Sequence, residues 1–363
     1  MLFSIMNHVL FSVLFFSVLV ADDAPSLPMA VPPSDLHVRL TGRWDRSDAL
    51  APRCAWTACS IQVAFTGTAC NVVLGGTKDL GFQVIVDGKP TITLLIADGQ
   101  SVYAVAHDLP KGKHQVELWK RHEGMYGAIQ FKGLQLAKGS TLLDQPKTTR
   151  RIEFIGDSIT AGYGNEAADQ QQHFTLGTQN GGMTWGVFAA QALKADLLCE
   201  AWSGTCLTDN GKDPTMPQRW ARTIPTWGPI PTDAPGQWDF TSWKADAVVI
   251  NLGTNDVRGG LVDEKKWQDA YRAFIATIHG HYPKAHVFLT IGPMGHGPED
   301  CIAHYNSALV ETLTKEGDKL VHAVALANQQ QVNGIGADWH PSIATHRLMA
   351  EAITTEIKKT LGW

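Results

Sequence analysis

Near residue 140 the hydrophobic periodicity of this chain changes from one kind to another, and no single layer of secondary structure accommodates both. Upstream, from about residue 37 to 136, short runs alternate apolar with polar side chains and are broken by turn residues: CSIQVAF, CNVVLG, FQVIVDGKP, HQVELWKR and AIQFKGLQL. Successive side chains of a strand point to opposite faces, so a period of two marks strands with one face in a core. The Asp87-Gly88 pair after FQVIV predicts a tight hairpin, because a type I′ turn needs positive φ at both central positions. With no helical period in the stretch, residues 35–138 are expected to form an all-β sandwich. The segment AKGSTLLDQPKTTR that follows reads as a linker.

Downstream, strand-like and helix-like patterns alternate. RRIEFIG, DLLCEAW, ADAVVINLG and HVFLTIG are strand candidates; TWGVFAAQALKAD and KKWQDAYRAFIATIHGHY are helix candidates, and a last helix runs from about Pro341 to Leu361. Continuous apolar runs such as AVVIN are what parallel strands covered on both faces require. Residues 150–363 are therefore expected to be an α/β domain with helices on both faces of a mostly parallel sheet. A chain of 363 residues that is 44% hydrophobic is long enough for two such cores.

Charge narrows the partners. Thirty Lys and Arg against thirty-five Asp and Glu give a net charge of −5 without a basic cluster, which argues against nucleic acid. The charged stretch from Lys111 to His122 reads as solvated strand ends. Residues 9–20, VLFSVLFFSVLV, precede the small Ala21 and then Asp22 and Asp23. An apolar run of this length suits a cleaved export signal over residues 1–21 better than a membrane span, with an uncleaved anchor as the alternative because no Lys or Arg precedes it. The folded part is expected to be secreted or periplasmic, without stable membrane association after cleavage. Cys54, Cys59, Cys70, Cys199, Cys206 and Cys301 suit an exported chain and allow fifteen full pairings; buried free thiols are the alternative. No C-x-x-C pair and no His/Cys cluster with zinc spacing is present, so no structural metal is expected.

Three segments carry candidate chemistry: GDSIT at 156–160, GTND at 253–256 and DWHPS at 338–342. In an open α/β sheet the site lies at the carboxyl ends of the strands, and GDSIT follows RRIEFI while GTND follows AVVINL. Ser158 at a strand-to-helix turn can act as nucleophile and offer its own backbone N–H to an oxyanion. His340, held before Pro341 at the start of the last helix, is the natural base, and Asp338 can reach back to its imidazole. His346 is the competing histidine, expected to pack inside the helix. Asn255 can donate its side-chain amide to the oxyanion, and Gly204, in EAWSGTC, its backbone N–H. Asp157 and Asp256 suit hydrogen bonding within their loops better than proton transfer.

GDSITAGYG, Gly204, GTND and the closing D-W-H triplet resemble the four blocks of the SGNH/GDSL hydrolase superfamily, over about residues 150–363. A β-domain in front, GDSIT-x-GYG and DWHPS narrow the resemblance to carbohydrate esterase family 2, the acetyl xylan esterase type, whose members remove acetyl groups from xylan and other plant polysaccharides. The resemblance implies a jelly-roll-like sandwich followed by a three-layer α/β/α, flavodoxin-like domain. It also implies Ser158 as nucleophile, His340 as base, Asp338 as its partner, and an oxyanion hole from the Ser158 N–H, Gly204 and Asn255, with no cofactor. Two departures stand out. The last block is D-x-H where the superfamily has D-x-x-H, and some members of the esterase family use a Ser-His dyad with a backbone carbonyl in the acid's place. Trp202 and Ser203 stand where the second block usually has an asparagine before its glycine.

For substrate, residues 207–243 carry Trp220, Trp227, Trp238 and Trp243, and Trp339 sits inside the last block. Trp339 and Trp227 are the candidate platforms for sugar rings, although core or loop anchoring is the alternative for each tryptophan. The expected partner is an acetylated polysaccharide or oligosaccharide. A GDSL-type lipase or thioesterase would instead want an apolar groove. A non-catalytic carbohydrate-binding protein would not need Ser158, Asn255 and His340 together.

Overall fold

A computed structural model describes residues 28–209, 211, 213–226, 236–295 and 299–363. The expected export segment and Trp227 lie outside the described residues. The N-terminal part is all β, in two antiparallel sheets. One has the order Trp44–Asp45, Arg53–Cys54, Ile129–Leu136, Cys70–Gly76, Val102–Ala106, with Met29–Val31 also on Ile129–Leu136. The other runs Thr141–Leu143, Ser60–Gly67, Gly112–Lys120, Gly81–Val86, Lys89–Leu95, with Arg39–Thr41 also on Ser60–Gly67. Val63, Phe65, Val72, Val84, Leu118 and Phe131 are fully buried, which is the alternation of the sequence realised as one core. The Asp87-Gly88 turn has φ of 50° and 77° and pairs Val86 with Lys89, as a type I′ hairpin requires.

Two expectations are corrected in this part. The segment read as a linker contributes a strand, because Thr141–Leu143 pairs antiparallel with Ser60–Gly67 and closes the edge of that sheet. Lys111 and Lys113 are exposed, but Lys120, Arg121 and His122 are buried rather than solvated. Their partners come from both halves of the chain. The Lys120 ammonium donates to the Ala55 carbonyl at 2.7 Å and to the His122 carbonyl, Arg121 pairs with Glu166, and His122 Nε2 lies 3.0 Å from the Leu176 carbonyl.

The C-terminal part has a five-stranded parallel sheet in the order Asp196–Ala201, Arg151–Gly156, Ala247–Asn251, His286–Thr290, Val321–Ala323. Numbered along the chain this is 2-1-3-4-5, the flavodoxin-like order, and its switch point falls between Arg151–Gly156 and Ala247–Asn251. The strand Ala247–Asn251 shows why its apolar run is unbroken. Val248 and Ile250 pack with Trp267, Phe274 and Ile278 of the helix Glu264–His281, while Ala247 and Val249 join Trp185, Ile353 and Ile357 on the opposite face. There the helices Trp185–Leu193 and Ile343–Leu361 pack together. A further helix, Glu299–Lys315, and the edge strand Val321–Ala323 complete the layers.

The two parts share one hydrophobic cluster that runs from the sandwich through Trp202 and Trp220 to the sheet. Within it Arg43 is fully buried, 2.8 Å from Glu153 and 3.0 Å from Glu200, with the Trp220 and Arg222 carbonyls as further acceptors. No disulfide joins the six cysteines in this structure. Among the described residues no helix is long and apolar enough to cross a membrane.

Candidate active site

At the carboxyl end of the strand Arg151–Gly156 the chain turns straight into the short helix Ser158–Ala161. The Asp157 carboxylate caps that helix by accepting from the Ile159 N–H at 3.0 Å. Ser158 is thus the first helical residue, where the backbone N–H has no acceptor inside the helix. Burial pushes the Asp157 carboxyl up to about 7, against the pull of the Ile159 N–H, with the nearby Asp256 carboxylate adding to the rise.

Ser158 Oγ lies 2.8 Å from His340 Nε2, across 182 residues of sequence. Two glycines make this approach possible. A Cβ on Gly164 would come within 2.3 Å of the Ala337 Cβ, and one on Gly336 within 2.5 Å of the Gly164 carbonyl oxygen. In that gap the Ala337 N–H donates to the Gly164 carbonyl at 2.9 Å, joining the serine block to the histidine block.

The Asp338 carboxylate does not hold the imidazole, contrary to expectation. His340 Nδ1 faces the main-chain carbonyls of Ala337 at 3.1 Å and Asp338 at 3.2 Å. The carboxylate instead accepts from the Phe174 N–H and the Tyr163 hydroxyl, both at 3.0 Å, and meets His173 Nδ1 at 2.8 Å. One residue between acid and histidine is too short a link for the side chain to fold back. Asp338 and Trp339 both take left-handed φ, 49° and 67°, which turns the carbonyls rather than the carboxylate toward the ring. Burial lowers the His340 imidazole to about 4, against the upward pull of the two carbonyls. It is therefore neutral and able to accept a proton over most of the pH range. His346, the competitor, is buried and accepts from the Trp185 N–H at 3.3 Å.

The donors expected on the other side of Ser158 line the same cleft. Ser158, Tyr163, Ser203, Gly204, Asn255 and His340 are among the walls of a depression of about 560 Å³ at the sheet's switch point. Gly204 has φ of 78° and open space around its Cβ position, so conformation and not crowding calls for glycine there. The Trp202 N–H donates to the Gly156 carbonyl at 3.1 Å and the Thr205 N–H to the Trp202 carbonyl at 3.2 Å, while the Gly204 N–H has no acceptor within the described residues. Asn255 Nδ2 donates to the Thr205 carbonyl at 3.1 Å, leaving its second hydrogen on a weaker 3.4 Å contact with Asp157. Asp256 ties down the continuation of that loop, accepting from the Leu207 and Thr208 N–H groups and the Thr208 hydroxyl. Asp157 thus bonds within its own turn, as the sequence suggests, whereas Asp256 ties its loop to the one at Leu207 and Thr208.

Trp339 is 53% exposed beside His340, while Trp220 is fully buried in the core. Tyr163 was not assigned a role from sequence, yet its ring lies 4.1 Å from that of His340 and 4.2 Å from that of Phe174, which in turn stacks on Tyr126 of the β-part. The available signal was the glycine on either side of it, Gly162 and Gly164, both of which take positive φ in the structure. Arg258 also lines the cleft and was likewise missed.

Comparison with known proteins agrees with this geometry. The carbohydrate esterase 2 N-terminal family matches residues 40–146 and the GDSL-like lipase/acylhydrolase family matches residues 154–348. The chain is 38% identical over 327 residues to the cellulase/esterase CelE of Acetivibrio thermocellus, covering 89% of this chain but only 39% of that longer protein. It is 26% identical to an acetylxylan esterase / glucomannan deacetylase of Cellvibrio japonicus, over 91% of this chain and 90% of the relative. The structure of a family two carbohydrate esterase from Clostridium thermocellum in complex with cellohexaose superposes with a TM-score of 0.83 and 37% identity, over 90% of this chain and 99% of that one. With both halves matched in order, the chain belongs to the GDSL-like lipase/acylhydrolase family and, within it, to the family two carbohydrate esterases.

Proposed function

We propose that this protein is a carbohydrate O-acetylesterase that removes acetyl groups from xylan, glucomannan or a related plant polysaccharide through an acyl-enzyme intermediate. The observation that carries the reading is the 2.8 Å contact between Ser158 Oγ and a neutral His340, at a cleft with amide donors on its far side. His340 takes the serine proton as Oγ attacks the acetyl carbonyl. The developing oxyanion is met by the N–H groups of Ser158 and Gly204 and the Asn255 amide; the imidazolium, stabilised by the Ala337 and Asp338 carbonyls, then protonates the departing sugar oxygen. Water, activated by the same histidine, attacks the acetyl-serine and releases acetate.

Carbohydrate as the acyl carrier is supported by the cellohexaose bound in the related esterase and by the acetylxylan and glucomannan activities in the name of the Cellvibrio relative. Polar side chains around the cleft (Ser158, Ser203, Thr254, Asn255, Arg258, Asp338) outnumber its apolar walls Tyr163 and Met294, which favours a carbohydrate over a long acyl chain. Trp339 is proposed as a sugar platform beside the histidine. Residues 35–138 and 150–363 are proposed as the two domains, the first widened by the strands Met29–Val31 and Thr141–Leu143 that pair onto its sheets, and export on the apolar run at 9–20 is proposed for a polymer that cannot enter a cell.

The test is acetate release from acetylated xylan and acetylated glucomannan, with p-nitrophenyl acetate and p-nitrophenyl decanoate alongside, for the wild type and Ser158→Ala. Release from polysaccharide and the short ester that vanishes in the variant is expected. Hydrolysis of the decanoate alone would replace the proposal with a lipase, and no hydrolysis of any substrate would leave a binding protein.

A further inference from the structure

Glu123 belongs to the β-part of the chain, follows the three buried residues Lys120, Arg121 and His122, and is itself fully buried. Its carboxylate does not end in the sandwich. One oxygen accepts from the Ser203 N–H at 2.6 Å; the other accepts from the Ser203 hydroxyl at 2.6 Å and from Gln179 Nε2 at 3.1 Å. Two short bonds to one residue fix both its backbone and its side chain. Ser203 is the residue before Gly204, and the peptide plane between them carries the Gly204 N–H. With Trp202 anchored on Gly156 and Thr205 on Trp202, Ser203 is the remaining free hinge of the turn. Glu123 closes it.

We propose that Glu123 is a positioning residue for the esterase reaction, aiming the Gly204 N–H at the oxyanion from the β-domain, so that this domain completes the active site. The inference rests on the reading of Gly204 as an oxyanion donor. It also accounts for Ser203 standing where the superfamily's second block usually has an asparagine: the hydroxyl is the second grip for the carboxylate.

The geometry predicts how substitutions differ. Glu123→Gln keeps an oxygen for the Ser203 N–H and turns an N–H₂ toward the Ser203 hydroxyl, which can accept. Gln179 can meet the same N–H₂ by turning over its amide, whose oxygen is buried with no partner in the described residues. Glu123→Ala removes both grips and leaves the Ser203 N–H without an acceptor. Ser203→Ala removes only one.

The experiment measures kcat and KM on p-nitrophenyl acetate, and the affinity for a boronic acid that mimics the tetrahedral intermediate, in the full-length protein. Glu123→Ala is expected to lose about 10²–10³-fold in kcat, the usual effect of removing an oxyanion donor, with KM changed less than about threefold and boronate affinity falling in parallel with kcat/KM. Glu123→Gln should stay within about tenfold of the wild type, and Ser203→Ala should lose several-fold in kcat in a protein that still folds, with a melting temperature lowered only modestly. A folded Glu123→Ala protein with wild-type kcat, a loss confined to KM, or Glu123→Gln as impaired as Glu123→Ala would overturn the inference. If Glu123→Ala does not fold, wild-type kcat in Ser203→Ala would do so. Ser158→Ala run alongside separates the two levels: full activity there sinks the site itself, whereas an inactive Ser158→Ala beside an unaffected Glu123→Ala sinks only the role of Glu123.

Discussion

The His340 ring has no carboxylate on its far nitrogen, and two residues in left-handed conformation make that arrangement. A non-glycine residue at positive φ costs about 1–2 kcal/mol, and Asp338 and Trp339 adopt it in succession. What this strain secures is a pair of carbonyl dipoles 3.1 and 3.2 Å from Nδ1, which fix the tautomer that leaves Nε2 free for Ser158. Two outcomes follow. Burial holds the imidazole at about 4, and only its neutral form can take the serine proton. The acid limb of kcat/KM, which reports the free enzyme, should therefore fall as pH drops through about 4 and be flat above it; a limb near the ordinary histidine value would mean a solvated ring. The second concerns Asp338, whose carboxylate buttresses the 163–174 loop. Asp338→Asn keeps the main-chain carbonyl and an acceptor for the Phe174 N–H, so turnover should drop less than about tenfold, against about 10²–10⁴-fold for His340→Ala. Equal losses in the two variants would show that the carboxylate acts on the imidazolium directly.

Between elements, the decisive contact is where the loop after the first parallel strand meets the loop before the last helix. Gly164 has φ of 57° and no room for a Cβ against Ala337. Gly164→Ala should therefore cost about 1–3 kcal/mol in overlap alone, visible as a lower melting temperature, and should cut kcat by lengthening the Ser158–His340 contact while leaving surface loops untouched. Wild-type kcat in this variant would mean that the two loops can part without harm. The same region marks how far the sequence could be read. That Ser158, Gly204, Asn255 and His340 would meet at one cleft was legible because each follows a strand or comes shortly before a helix with strong periodicity, and topology then brings those ends together; the last helix itself begins at Ile343 rather than at Pro341. The edge strand Val321–Ala323 was not legible, since three residues with a histidine in the middle carry no alternation. The helix Glu299–Lys315 buries Ile302, Asn306, Leu309 and Leu313, and the polar Asn306 in the middle breaks the apolar stripe that a sequence reading looks for. Glu123 was invisible for a different reason: a short charged run looks like a solvated surface until the partner surface, 80 residues away in the chain, is known.

At the scale of the molecule, the β-part and the α/β-part are joined by chemistry that neither could hold alone. Arg43 comes from the first and Glu153 and Glu200 from adjacent strands of the second, all three fully buried. Burial pushes the Glu200 carboxyl well up, against the pull of Arg43 and helped by its neighbour Glu153. The arginine therefore offsets charge that the sheet could not otherwise bury. Such a cluster contributes little net stability compared with apolar side chains, but breaking it from one side is costly because the remaining charge has no solvent. Arg43→Ala should destabilise the whole chain by about 3–5 kcal/mol in equilibrium denaturation, whereas Arg43→Met combined with Glu153→Gln and Glu200→Gln should recover most of that loss. Because the cluster lies inside the core shared by both parts, unfolding of the wild type should be one transition by near-UV and far-UV circular dichroism alike. Two separated transitions, or an Arg43→Ala protein that loses only the β-part, would mean that the sandwich is an appended module. In that case the reach of Glu123 into the oxyanion turn could not be a fixed feature of the enzyme, since it requires the two parts to hold one geometry throughout the catalytic cycle.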